Sequence, residues 1–184
     1  KNLITRENGI PYKIGDIDMT DSWTSPVMKT IRQQMLNGER PDMCVRCFRE
    51  EDSSIKSARQ AWNNTWAYYY EQSVTPPMNI KYIDIRLGNL CNLKCRMCNP
   101  WASNQWIDEW NSIESETQLN DIDVANLSKM NWFDNEIVWD NISIFADTIE
   151  EIYLTGGEPT LAISQYKLFD KLIQLNVAHN IKLK

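Results

Sequence analysis

The sequence predicts a parallel α/β fold preceded by a small, mainly helical segment with cysteines of its own. Three observations lead there. Residues 79–184 run strand, loop, helix, strand, loop, helix, strand, the order of a parallel α/β sheet. Residues 1–78 carry helix-like periodicities and end at Pro76-Pro77. The five cysteines fall into two groups, Cys44 and Cys47 in the first segment and Cys91, Cys95 and Cys98 in the second.

In the first segment, Thr24 and Ser25 before Pro26 form a helix start, because proline at the first helical position has no N–H to leave unpaired. Val27, Met28, Ile31 and Met35 then share one helical face, and Asn37-Gly38 supplies the stop. The chain next reaches a turn at Cys44-Val45-Arg46-Cys47. A second helix is expected from about Ser53 to Gln72, including Trp62, Trp66 and Tyr68-Tyr69-Tyr70. Pro76-Pro77 ends it, which places the domain boundary between residues 78 and 79.

The second segment opens with a strand over Ile80 to Leu87, where Ile83, Ile85 and Leu87 alternate with Asp84 and Arg86. Gly88-Asn89 closes it, and the cysteine-rich loop follows. Trp106, Trp110 and Ile113 then mark a helix, with short helical pieces expected near Val124 to Met130 and Ile142 to Thr148. A second strand, Glu151 to Thr155, runs into Gly156-Gly157-Glu158-Pro159. The helix from about Leu161 to Leu175 is expected to bury Tyr166, Phe169, Leu172 and Ile173, and Ile181 to Lys184 begins a third strand.

Charge and composition exclude several functions. With 19 basic and 25 acidic side chains the net charge is −6, and all of that excess lies after residue 78. Between Asp108 and Glu151 only Lys129 offsets 12 acidic residues, so the stretch repels a phosphate backbone and no nucleic-acid partner is expected. No window approaches the roughly 18 apolar residues of a membrane helix, so no membrane partner is expected either. An odd number of clustered cysteines favours metal ligation in a reducing, cytoplasmic compartment over a disulfide scaffold. His179 is the only histidine, which leaves triad chemistry with little support.

The strongest signal is Cys91-Asn-Leu-Lys-Cys95-Arg-Met-Cys98, directly after a strand. Three thiolates leave one iron of a four-iron cluster without a protein ligand, whereas structural zinc sites and closed clusters take four. An open iron is a place for a substrate or cofactor to bind. The bland alternative is three buried cysteines on a helix, but Gly88-Asn89 and Asn99-Pro100 on either side argue for a loop.

This loop resembles the defining CxxxCxxC pattern of the radical S-adenosylmethionine (SAM) enzymes. The resemblance covers about residues 79–184 and extends to Leu154-Thr155-Gly156-Gly157-Glu158-Pro159, which is similar to that family's GGE motif at the end of the second strand. It implies a partial TIM-type (β/α) barrel, cut after about two βα units, with chemistry at the carboxyl ends of the strands. It also implies that Cys91, Cys95 and Cys98 hold three irons of a 4Fe-4S cluster while SAM chelates the fourth. One electron from the cluster then cleaves the sulfonium to give a 5′-deoxyadenosyl radical, which abstracts hydrogen from the substrate. By the same analogy the electron donor is a flavodoxin or ferredoxin, and the substrate a peptide or protein side chain. Gly156 and Gly157 would let the backbone approach the methionine amino group, Glu158 would add negative charge there, and Met97, where relatives often carry an aromatic residue, would lie at the adenine.

Cys44 and Cys47 say less, because one CxxC fits zinc, an iron–sulfur cluster, a redox pair or plain thiols. Gly15-Asp16-Ile17, Trp23, Met28 to Leu36 and the CxxC together resemble the SPASM or twitch auxiliary-cluster segment of radical SAM proteins, here placed before the core. That resemblance implies a second cluster whose remaining ligands are not among these five cysteines. The rival reading of the whole chain is a non-catalytic zinc or iron–sulfur binding interaction module. Since a complete β/α barrel usually needs upward of roughly 200 residues and 106 follow Met78, the chain is expected to be an interior piece of a longer enzyme.

Overall fold

A computed structural model describes residues 16, 18–69, 73–117 and 132–184. Gly15, Ile17, Tyr70 to Gln72 and the helical piece expected at Val124 to Met130 lie outside the described residues. The chain divides into two compact units, residues 1–78 and 79–184.

Unit 1 is built from short helices. After α1 (Met19–Trp23), Ser25 caps α2 (Pro26–Leu36) by accepting from the Met28 amide, with Pro26 in the first turn. Asn37 ends α2, and Gly38 follows at φ +75, a left-handed conformation that costs glycine little. Cys44 lies at the start of α3 (Val45–Asp52), so the CxxC spans the first turn of a helix rather than a free turn. The long helix expected from Ser53 breaks into two elements. Ser54 takes φ 59, and Ser57 caps α4 (Ala58–Thr65) in a reciprocal pair with Gln60, which starts that helix five residues late. A 3-10 turn at Ala67–Tyr69 follows. Phe48 of α3 lies under two guanidinium groups, Arg40 at 4.9 Å and Arg59 at 4.7 Å, which are in turn held by Asp52 and Glu51. Arg59 and Ser57 both bond the Glu51 carboxylate and hold it below the usual carboxylate range.

Unit 2 is an open three-stranded parallel sheet in the order β1-β2-β3 (Tyr82–Arg86, Glu151–Thr155, Lys182–Leu183) with flanking helices. The expected partial TIM-type barrel is therefore corrected. Closure into a barrel needs about eight tilted, staggered strands; three strands with ordinary twist make a short open sheet.

Helix α5 (Ile107–Thr117) and α6 (Glu136–Ser143) lie in the crossover from β1 to β2, and α7 (Ile163–Gln174) in the crossover from β2 to β3. Register places Ile83 beside Ile152 and Ile85 beside Leu154 on one face of the sheet. Ile85 and Ile152 are buried together with Val138, Trp139 and Ile142 of α6 and Leu168 and Leu172 of α7. The other face carries Asp84 and Arg86, both exposed, and Thr155 Oγ1 donates to Asp84 Oδ1 at 2.9 Å across the two strands.

Helix α7 differs in phase from its expectation. Tyr166 and Ile173 are exposed, while Ser164, Gln165, Leu168 and Leu172 are buried. The face a helix buries is set by the surface it packs on, and here that surface selects the 164/165/168/172 stripe over the larger side chains beside it. Among the described residues, no helix is long and apolar enough to cross a membrane.

Candidate functional site

Two turns meet at the carboxyl ends of β1 and β2. The first is the cysteine loop that leaves β1 through Leu87 and Gly88. The second is Gly156-Gly157-Glu158, leaving β2 at Thr155. Backbone contact joins them: the Glu158 N–H donates to Leu90 O at 2.8 Å. The approach is so close that side chains are excluded. A β-carbon on Gly157 would stand 2.1 Å from Leu90 O, and one on Gly156 2.5 Å from Gly88 O. Gly156 also has φ +122, a conformation that L side chains rarely adopt.

On the cysteine loop, Cys95 is exposed and Cys91 and Cys98 are half-buried. A turn bond from Cys98 N–H to Cys95 O at 3.0 Å folds the second half of the loop, and Leu93 N–H donates to Cys91 Sγ at 3.4 Å. Burial pushes the Cys98 thiol above its ordinary pKa, helped by the neighbouring Cys95 and Cys91 thiols and by a hydrogen bond to Cys95. Met97, between Cys95 and Cys98, is fully exposed.

Glu158 caps the 3-10 turn Pro159–Leu161. Its Oε1 accepts from the Thr160 hydroxyl at 2.7 Å and from the Thr160 amide at 3.2 Å. Those bonds hold its carboxyl below the usual range, so at neutral pH it carries its charge beside the glycine turn.

The residues that follow the loop are the part that sequence reasoning missed. Asn104 Oδ1 accepts from the Cys91 amide at 2.9 Å, and Gln105 Nε2 donates to Cys91 O at 3.1 Å. Ser103, fully buried, donates to Leu93 O at 2.8 Å. The Trp106 indole N–H donates to Cys95 O at 3.0 Å. Spacing alone counts Trp106 with Trp110 and Ile113 in one helix, whereas it precedes α5 and is tied to the loop. No periodicity signals this, because the bonds run from side chain to backbone.

Cys44 and Cys47 belong to unit 1. Both are half-buried, and burial together with the neighbouring Cys47 thiol raises the Cys44 pKa, partly offset by Arg59.

The expected metal-binding cluster of Cys91, Cys95 and Cys98, with Cys44 and Cys47 as further ligands, is corrected: among the described residues these side chains are not gathered into a metal site. Among the described residues, no group of three or more His, Cys, Asp or Glu side chains is placed to hold a metal ion. No protein-family model, curated protein or solved structure matches the chain. The site is therefore read from its own residues. Three soft thiols on one loop suit an iron–sulfur cluster, in which each sulfur takes a different iron and convergence on a single ion is not required. By donor chemistry, the residues present fit that group.

Proposed function

We propose that residues 79–184 carry the cofactor-binding part of a radical SAM enzyme, in which Cys91, Cys95 and Cys98 ligate a 4Fe-4S cluster. What carries the reading is the packing of Gly156-Gly157-Glu158 directly onto the backbone of a three-cysteine loop, through the Glu158–Leu90 bond and two glycines with no room for a β-carbon. When bound, the cluster and SAM supply the one-electron bond cleavage; the protein supplies binding and position.

The glycine turn presents backbone without side chains next to Leu90, the residue before Cys91. Glu158, whose carboxyl Thr160 holds below the usual range, would add negative charge near the SAM ammonium. Cys95, the exposed thiol of the three, would hold one iron of the cluster, with Cys91 and Cys98 holding two others. The fully exposed Met97 stands where cofactor or partner can cover it. The electron would come from a small one-electron carrier of the flavodoxin or ferredoxin kind. Cys44 and Cys47 give unit 1 two further thiols towards an auxiliary cluster.

Metal analysis of protein purified without oxygen tests this. Iron with roughly equimolar inorganic sulfide is the expected result. Zinc without sulfide would replace the proposal by a non-catalytic binding module.

A further inference from the structure

The cysteine loop lacks regular secondary structure from Leu87 to Cys98, so its shape depends on what its backbone is bonded to. Four consecutive side chains, Ser103 to Trp106, reach back to it. Between them they bond the amide and carbonyl of Cys91 and the carbonyls of Leu93 and Cys95. The segment is itself anchored, because Asn104 N–H donates to Asn89 O at 2.8 Å and Asn89 Nδ2 donates to Pro100 O at 2.8 Å. Lys94, in the middle of the loop, lies 5.1 Å over the Trp106 ring and pairs with Glu109 of α5.

Capping the following turn explains only Ser103, whose hydroxyl also accepts from the Gln105 amide. Asn104, Gln105 and Trp106 point the other way, to two of the three cysteines. We propose that Asn104 and Trp106, supported by Ser103 and Gln105, are positioning residues that hold Cys91 and Cys95 in the arrangement cluster ligation needs. This rests on reading the three cysteines as cluster ligands. Residues that orient metal ligands without touching the metal typically change affinity by roughly 10- to 100-fold.

Three variants of the full chain separate this role from ordinary packing. Asn104→Asp keeps an acceptor for the Cys91 amide, whereas Asn104→Leu removes it. Trp106→Phe keeps a ring under Lys94 but loses the indole donor. After anaerobic reconstitution with ferrous iron and sulfide, the Leu and Phe variants should surrender iron to a chelator about 10- to 100-fold faster than wild type, with an altered electron paramagnetic resonance line shape. Asn104→Asp should stay close to wild type in both readouts. Wild-type rates and line shapes in the Leu and Phe variants would overturn the inference. A wild-type chain that takes up no cluster removes the proposed function instead, and amide hydrogen exchange of residues 91–98 in the metal-free chain then decides. About tenfold faster exchange in the Leu and Phe variants but not in Asp supports the positioning role, and equal rates in all four proteins overturn it.

Discussion

Replacing Cys95 by alanine should abolish the iron and sulfide bound by unit 2 while leaving the fold in place. Cys95 is the exposed member of the three cysteines, so truncation opens no internal cavity. The stability change should remain within about 0.5 kcal/mol, the usual range for surface substitutions. A four-iron cluster that already leaves one iron for an external ligand cannot lose a second protein thiolate and remain firmly held. Iron and sulfide analysis beside a thermal melt checks both halves of the expectation. Iron that survives Cys95→Ala is assigned to unit 1, and a further Cys44→Ala, Cys47→Ala pair should remove it. Full retention of cluster iron in Cys95→Ala would show that this loop is not the ligand set.

Gly157→Ala should damage the site from the other side. The added methyl carbon would stand 2.1 Å from Leu90 O, 2.5 Å from Leu90 C and 2.8 Å from the Asn89 carbonyl carbon. These are backbone atoms, so no change of rotamer relieves the clash, and the two turns must separate. Separation breaks the Glu158–Leu90 bond. Overpacking of this kind costs about 1 to 3 kcal/mol, and a clash against backbone puts Gly157→Ala at the upper end. Urea denaturation measures that loss. In the reconstituted protein, SAM binding should fall much further than cluster content, because the cysteines remain on their own loop. Gly38→Ala is the matched control. Gly38 has nothing within 4 Å of its missing β-carbon, so only the penalty of φ +75, about 1 kcal/mol, should appear.

Local chemistry made several elements legible. Ser25-Pro26 and Asn37-Gly38 bracket α2 because a cap and a left-handed residue act within one turn of chain. Alternation of Ile83 and Ile85 with Asp84 and Arg86 marks β1, since side chains on a strand alternate between faces. What depends on packing was not legible. The buried stripe of α7 runs through Ser164 and Gln165 and leaves Tyr166 and Ile173 in solvent, against the order of their apolarity. The helix expected from Ser53 stops being possible at Ser54, whose positive φ no propensity announces. Barrel closure is a property of strand number and stagger, which two short motifs do not encode.

The candidate site divides in the same way. The cysteine spacing and the Gly156-Gly157-Glu158 turn can be read directly, because each is a run of consecutive residues. Their contact through Leu90 is a tertiary fact between residues 68 positions apart, and it rests on the parallel pairing of β1 with β2. The bonds from Asn104 and Trp106 to the loop are hidden for another reason. Asparagine and tryptophan are ordinary residues at the start of a helix, and nothing in their identity says that they point backwards.

The most direct measurement of the central claim is the electron paramagnetic resonance spectrum of anaerobically reconstituted, dithionite-reduced protein, recorded with and without SAM. The account expects a reduced 4Fe-4S signal with a component that shifts when SAM is added, as an iron with an open position requires, and that is lost in Cys95→Ala. A spectrum without that signal, or one that SAM leaves unchanged, would contradict it.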